Sequence, residues 1–265
     1  MLYSSNTFVP YNSPLKEAQV VFLGLPFSST ATSAASNYGP VMVRESLKLV
    51  ESRLGKLRIC DLGDLEPVPG SFELTAERVK DTIREAKMQN PSPFFVFVGG
   101  DHSMSFPISE ELKARTVIHL DAHSDSRREY LGNMFMHQTW AYHASKYARV
   151  IQIGLNSVSE AEQDEIRTNP NIDPMSINEF LEDLEPLKGP VHLSIDIDVF
   201  DPSYVVTGLP EGKLRPEQVY AILEKAAVVC NSMDIMEIAD NALPSKTGFL
   251  ASHIIKFVLE KKFLS

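Results

Sequence analysis

Residues 190–200 read Pro-Val-His-Leu-Ser-Ile-Asp-Ile-Asp-Val-Phe. A short apolar run opened by proline reads as a buried strand, yet this one carries two carboxylates, Asp196 and Asp198, near its end. An ionised carboxylate without a partner in such surroundings pays a large desolvation penalty, which a bound cation removes. Outward from this stretch, comparable runs rich in β-branched residues or Phe recur at 19–25, 57–62, 93–98, 116–120, 148–153 and 233–238. Between most of them lie segments with helical spacing, at 41–54, 75–88, 177–184, 216–229 and 248–262. This alternation predicts an α/β fold, three layers deep, in which helices cover a mainly parallel central sheet. Pro216 just inside one helix start and a Ser176/Glu179 capping box at another sharpen the boundaries. No repeat, low-complexity tract or Gly/Ser linker divides the chain, so residues 1–265 are read as one domain.

Composition excludes several function classes. The 25 Lys and Arg stand against 35 Asp and Glu, for a formal charge of -10, and no basic run stands out. The footprint of a nucleic-acid binder is therefore missing, and small or cationic partners are favoured. No stretch has the roughly 18 apolar residues of a membrane span, so no membrane partner is expected. Residues 1–20 are polar, are broken by Pro10 and Pro14, and show no basic or apolar targeting region. Cys60 and Cys230 are far apart and lie in apolar surroundings, as buried reduced thiols do. A cytoplasmic protein is expected.

Metal-ligand residue types concentrate directly after three of the apolar runs: Gly99-Gly100-Asp101-His102-Ser103, Asp121-Ala122-His123-Ser124-Asp125 and Ser194-Ile195-Asp196-Ile197-Asp198. Functional groups of open parallel sheets gather at the carboxyl ends of strands, so three strand ends are expected to share one crevice. In extended backbone alternate residues face the same way, which would align Asp121 with His123 and Asp125, and Asp196 with Asp198. Together with His102 these residues offer four carboxylates and two imidazoles, too much negative charge for one ion and a match for two divalent ions. An oxygen-rich set without thiolate suits Mn(II) better than structural zinc. Two such ions about 3.5–4 Å apart share and acidify one water, which points to hydrolysis.

The motifs G-G-D-H-S, D-A-H-S-D-S-R and S-I-D-I-D-V-F-D-P-S, in this order, resemble the signatures of the ureohydrolases, the family of arginases, agmatinases and formimidoylglutamases. The likeness extends to Gly39-Pro40 with Arg44, to Asp61-Leu62-Gly63-Asp64 and to Asp234-Ile235-Met236-Glu237, and so covers most of the chain. The resemblance implies an arginase-like fold and two Mn(II) ions per chain. One ion would be held by His102, Asp121, Asp125 and Asp196, the other by Asp121, His123, Asp196 and Asp198. It further implies that Asp125 orients a bridging hydroxide, that Glu237 pairs with the substrate guanidinium, and that His137 shuttles protons to the leaving amine. A homo-oligomer, trimer or hexamer, is implied as well.

Residues 121–137 are similar to the D-x-R-x-x-Y arrangement of bacterial and archaeal agmatinases, whereas arginases usually carry asparagine at the place of Arg127. The implied reaction splits agmatine, a small cationic guanidino compound, into putrescine and urea, a step of polyamine biosynthesis. Guanidinobutyrate, arginine and formiminoglutamate stand as alternative substrates. A single-zinc amide deacetylase and a metal-stabilised non-catalytic relative stand as alternative classes. Arg127 is expected to pair with an acidic neighbour, since its free charge would repel an ammonium tail. The loop 201–213 departs from the family pattern by shortening around Val205–Pro210. Asp101 and Asp201 are read as turn formers or supporting hydrogen-bond partners, and His119, His143, His192 and His253 as structural or surface histidines.

Overall fold

The apolar runs assemble into one sheet. The computed structural model of the chain describes residues 4–5, 12–29, 33–182 and 186–265. Its strands are β1 (Ser4–Ser5), β2 (Val20–Leu25), β3 (Ile59–Leu65), β4 (Phe94–Gly99), β5 (Thr116–Leu120), β6 (Arg149–Ile153), β7 (Ile172–Pro174), β8 (Val191–Asp196) and β9 (Ser232–Met236). They lie in the order β1-β3-β2-β4-β9-β8-β5-β6-β7. All pairs are parallel except the edge pair of β1 with β3. The connecting helices are α1 (Gly39–Leu47), α2 (Phe72–Gln89), α3 (Ser105–Glu111), α4 (Trp140–Ser145), α5 (Glu160–Thr168), α6 (Ile177–Glu182), α7 (Pro216–Val229) and α8 (Lys246–Phe263).

Strand alternation builds the three layers. Phe94, Val96 and Val98 of β4 join Val20 and Phe22 in a core shared with α1, α7 and α8. Phe95 and Phe97 face the other way, into a core with Val79 and Ile83 of α2 and Ile108 of α3. The central strands β5, β8 and β9 face the first core through Ile118, Leu120, Leu193, Ile195, Met233 and Ile235, and contribute only Val117 and Met236 to the apolar clusters of the other face. Their opposite face carries buried polar groups, His119, His192, Ser194 and Asp234. The neighbours β4, β9, β8 and β5 thus form a contiguous central block.

Every expected strand is present, with ends shifted by a few residues. The missed strands, β1 and β7, are too short to show a period. Among the expected helices, the one over 216–229 has its expected bounds, and Ser176 and Glu179 exchange both capping bonds. The end of the expected 177–184 helix falls outside the described residues. The helix expected over 41–54 begins at Gly39 and stops at Leu47, with a separate 3-10 turn at Leu54–Lys56. Helix α5 was not expected because its buried residues are Glu162 and Glu165, which leaves no apolar stripe to read.

Arg44 of α1 locks the helix to β3. Its guanidinium is fully buried, holds Asp61 through two bonds of 2.9 Å, donates to Gly63 O at 2.8 Å and also reaches Asp64. The Gly39-Pro40/Arg44 and Asp61–Asp64 stretches are therefore two halves of one buried ion-pair clamp.

Candidate metal centre and pocket

The three motifs leave the sheet by the same device. Asp101 Oδ1 accepts from the Ser103 amide at 3.0 Å, Asp121 Oδ1 from the His123 amide at 2.6 Å, and Asp196 Oδ1 from the Asp198 amide at 2.8 Å. A carboxylate bonded two residues ahead turns the chain off the strand end. This corrects the expectation that extended backbone aligns the ligands. Strand β5 stops at Leu120, Asp198 sits in a 3-10 turn, and Asp125 has φ of +49°. Glu237, just past β9, has φ of +59°. Non-glycine residues seldom adopt this left-handed region, and where they do the strain is held by surrounding contacts, commonly at functional sites. A side chain on Gly100 would meet Phe27 O at 2.3 Å and Ser36 O at 2.9 Å, so only glycine fits the first motif there.

All the expected ligands converge. His102 Nδ1 lies 3.0 Å from Asp196 Oδ2, 3.3 Å from Asp121 Oδ2 and 3.6 Å from Asp125 Oδ2. His123 Nδ1 lies 2.9 Å from Asp198 Oδ2 and 3.4 Å from Asp121 Oδ1. Asp121 accordingly turns one oxygen to each histidine, as a bridging carboxylate does.

The imidazole protons are fixed by what the far nitrogens touch. His102 Nε2 contacts Ser194 Oγ at 2.9 Å, and that hydroxyl itself donates to Asp234 Oδ1 at 2.7 Å, so His102 Nε2 is the donor. His123 Nε2 faces Glu211 Oε2 at 2.9 Å and donates likewise. Neutral imidazoles would then present bare Nδ1 lone pairs to carboxylate oxygens. Only a proton on each Nδ1 or a cation between the groups relieves that repulsion. The residues present therefore fit a pair of metal ions.

Charge bears this out. Burial pushes the carboxyls of Asp125 and Asp198 well above the usual range, and neighbouring carboxylates push the same way. Burial also raises Glu237, helped by Asp196 and Asp101. For His102 burial opposes protonation, but bonds to Asp121 and Asp196 outweigh it and raise the group well above its ordinary value. His123 is pushed far up by Asp121 and Asp198 against the same opposing burial. Left to protons alone, the cluster holds its charge poorly.

A cavity of about 310 Å³ opens over the cluster. His123, Asp125, Asp196 and Asp198 line its floor, with His137 and Glu237 beside them. The ligating atoms of His137, Glu237 and Asp101 lie within 4.8 Å of one another. Glu237 accepts from the His102 amide at 3.0 Å and from Ser36 Oγ at 3.4 Å. The outer wall includes Arg127, Tyr130, Glu162, Leu209 and Glu211. Arg127 stacks over Tyr130 at 4.8 Å, with Nε 3.9 Å from Glu162 Oε2, a loose version of the expected acidic pairing. The 201–213 loop reaches the pocket through Leu209 and Glu211.

Sequence reasoning missed several members of the site. His119 was expected to be structural or at the surface. It is fully buried, as a structural histidine is, but its Nε2 lies 2.7 Å from Asp121 Oδ2, because the polar face of β5 points under the cluster. Trp140 donates its indole N–H to Asp125 Oδ2 at 3.1 Å and packs against His102 at a ring distance of 4.7 Å. For His119 the available signal was a polar side chain within the apolar run 116–120, whereas Trp140, in the mixed stretch 137–145, offered none. Asp101 and Asp201 cap local turns as expected, and Asp101 also joins His137 and Glu237.

A sequence profile described as the arginase family matches residues 18–259. The chain is 33% identical over 259 residues to the N(1)-aminopropylagmatine ureohydrolase of Thermococcus kodakarensis, covering 91% of this chain and 89% of that one. It is 30% identical over 265 residues to an agmatinase of Pyrococcus horikoshii, covering 92% of each. The agmatine ureohydrolase structure from Thermoplasma volcanium superposes with a TM-score of 0.85 at 25% identity, over 98% of this chain and 94% of that one. Motif order, the shared arrangement of strands and these similarities lead to one conclusion: the chain belongs to the arginase family, as a metal-dependent hydrolase of amidine C–N bonds.

Proposed function

We propose that the chain hydrolyses agmatine to putrescine and urea with two Mn(II) ions, held by His102, Asp121, Asp125 and Asp196 on one side and by Asp121, His123, Asp196 and Asp198 on the other. Bound there, two divalent cations would lower the pKa of a shared water toward neutrality and polarise it for attack on the guanidinium carbon. Asp125, anchored by Trp140, orients that nucleophile. Glu237 pairs with the planar guanidinium and fixes its angle of approach. His137, lining the same cavity, delivers the proton that the departing amine takes up as the C–N bond breaks. The observation that carries the reading is the pair of Nδ1 atoms aimed at shared carboxylates in the floor of a pocket that also presents Glu237 and His137.

A second reading keeps the chemistry and lengthens the substrate to N(1)-aminopropylagmatine, with spermidine as the amine product. The relative at 33% identity bears that substrate in its name, and the outer cavity wall here holds two carboxylates, Glu162 and Glu211, suited to amino groups beyond the guanidinium. The proposal extends to a single domain over 1–265 and to a cytoplasmic homo-oligomer, trimer or hexamer. The free, buried Cys60 and Cys230 suit that compartment.

Manganese-loaded protein incubated with agmatine, N(1)-aminopropylagmatine, guanidinobutyrate, arginine and formiminoglutamate, with products identified by mass, tests the choice. Agmatine is expected to give the highest kcat/KM. Putrescine at background level would overturn it, and a clear preference for the aminopropyl compound would move the assignment to the second reading.

A further inference from the structure

Strand β6 supplies none of the proposed metal ligands, yet it reaches the centre. Sheet register places Gln152 opposite His119, His119 opposite Ser194, and Ser194 opposite Asp234. These four residues form a transverse row of fully buried polar side chains beneath the ligands. One end of the row, Asp234 and Ser194, ends on His102 Nε2. The other end, Gln152 and His119, ends on Asp121 Oδ2.

Hydrogen-bond roles at that second end are forced. Gln152 Nε2 lies 2.6 Å from Ser124 O, a carbonyl that can only accept, and Gln152 Oε1 accepts from Ser124 Oγ at 2.9 Å. The amide nitrogen, now identified as a donor, also lies 3.1 Å from His119 Nδ1. His119 Nδ1 therefore accepts, the imidazole proton resides on Nε2, and Nε2 donates to Asp121 Oδ2. That oxygen is the one turned toward His102.

We infer that Gln152 and His119 are positioning residues for the metal pair: Gln152 fixes the His119 tautomer, and His119 holds the Asp121 carboxylate in its bridging attitude. The inference rests on the two-metal reading above. Without the N–H, Asp121 Oδ2 is free to rotate away from the His102 side, so the ion on that side is the one loosened. Outer partners of ligating groups typically contribute 10- to 100-fold in metal affinity.

The test compares the parent chain with His119→Phe, His119→Gln and Gln152→Leu. Manganese per chain is measured by elemental analysis after dialysis against a graded chelator, together with kcat, KM and the thermal unfolding of each chelator-treated protein. The parent is expected to hold two ions. His119→Phe and Gln152→Leu are expected to release one of them at roughly 10- to 100-fold lower chelator strength. His119→Gln, whose amide restores a donor near the place of Nε2, is expected to remain within a few-fold of the parent. Metal loss without a matching fall in metal-free unfolding temperature separates positioning from plain destabilisation. Should Gln152→Leu fail to fold, the His119→Phe and His119→Gln contrast carries the comparison alone. A parent that holds two ions beside variants that hold them equally well would overturn the inference alone. A parent that holds fewer than two would overturn the two-metal reading and this inference with it.

Discussion

The indole N–H of Trp140 donates to Oδ2 of Asp125 at 3.1 Å, joining the start of α4 to a carboxylate in left-handed backbone. A hydrogen bond to a charged acceptor contributes about 1.5–3 kcal/mol. Trp140→Phe keeps most of the ring against His102 and removes the donor. We expect kcat on agmatine to fall roughly 10-fold, using 1.36 kcal/mol per decade, while two ions per chain are retained. An unchanged kcat would show that Asp125 is oriented without the indole.

Glu237→Gln keeps the side-chain length and one acceptor oxygen for the His102 amide while deleting the charge. Loss of a charge-assisted contact to the guanidinium should lower kcat/KM on agmatine by roughly 10- to 100-fold. Metal content should stay at the parent value, because Glu237 is not among the proposed ligands. Reduced metal content would place Glu237 in the ligand set instead.

Chelator-treated protein should lose stability as pH rises. Asp125, Asp198 and Glu237 have raised pKa values in the fold, so the folded chain holds more protons than the unfolded one above about pH 4, where free carboxyls ionise. Stability present below that pH is then lost as pH climbs through the raised values. The raised His102 and His123 act the same way above about pH 6.5, and the lowered His119 acts in the opposite sense, below that pH. Asp121 is pulled down by His119, His102 and His123 against burial, and its window lies below about pH 3.9. Unfolding temperatures of the chelated protein should fall between about pH 5 and pH 8, and saturating manganese should reverse the trend, since ligation needs deprotonated groups. A flat profile for the chelated protein would contradict this.

Arg44→Met tests the clamp between α1 and β3. It leaves Asp61 buried without its guanidinium, which typically costs about 3–5 kcal/mol. Urea unfolding of the chelated protein should register the loss, and adding Asp61→Asn should recover part of it. A change below about 1 kcal/mol would mean that water or Asn12 rescues Asp61, whose backbone amide already donates to Asn12 Oδ1 at 3.0 Å.

Much of this is legible in the amino-acid sequence. The apolar runs placed the strands because each is buried, and residues 191–196 displayed their layer by alternating Val, Leu and Ile with His, Ser and Asp. The six proposed ligands were legible because carboxylates and imidazoles at strand ends have few other uses. What stayed hidden depends on contacts between distant residues. Nothing within residues 137–145 says that Trp140 meets Asp125, and His119 is informative only once Gln152 is known to lie across from it. The left-handed φ of Asp125 was invisible for the same reason: tertiary contacts, not local preference, impose it.

The proposed ligands hang from three strands of the central block, β4, β8 and β5, while the outer cavity wall comes from separate stretches around Arg127–Tyr130, Ser157–Glu162 and Gly208–Glu211. Reactivity and selectivity are thus written on different parts of the backbone. Glu211 excepted, since it accepts from His123 Nε2, mutational drift in the wall can exchange one guest for another while the catalytic engine stays intact, so related chains with divergent diets are to be expected, and a randomised library confined to the other wall positions is the economical route to redirecting this one.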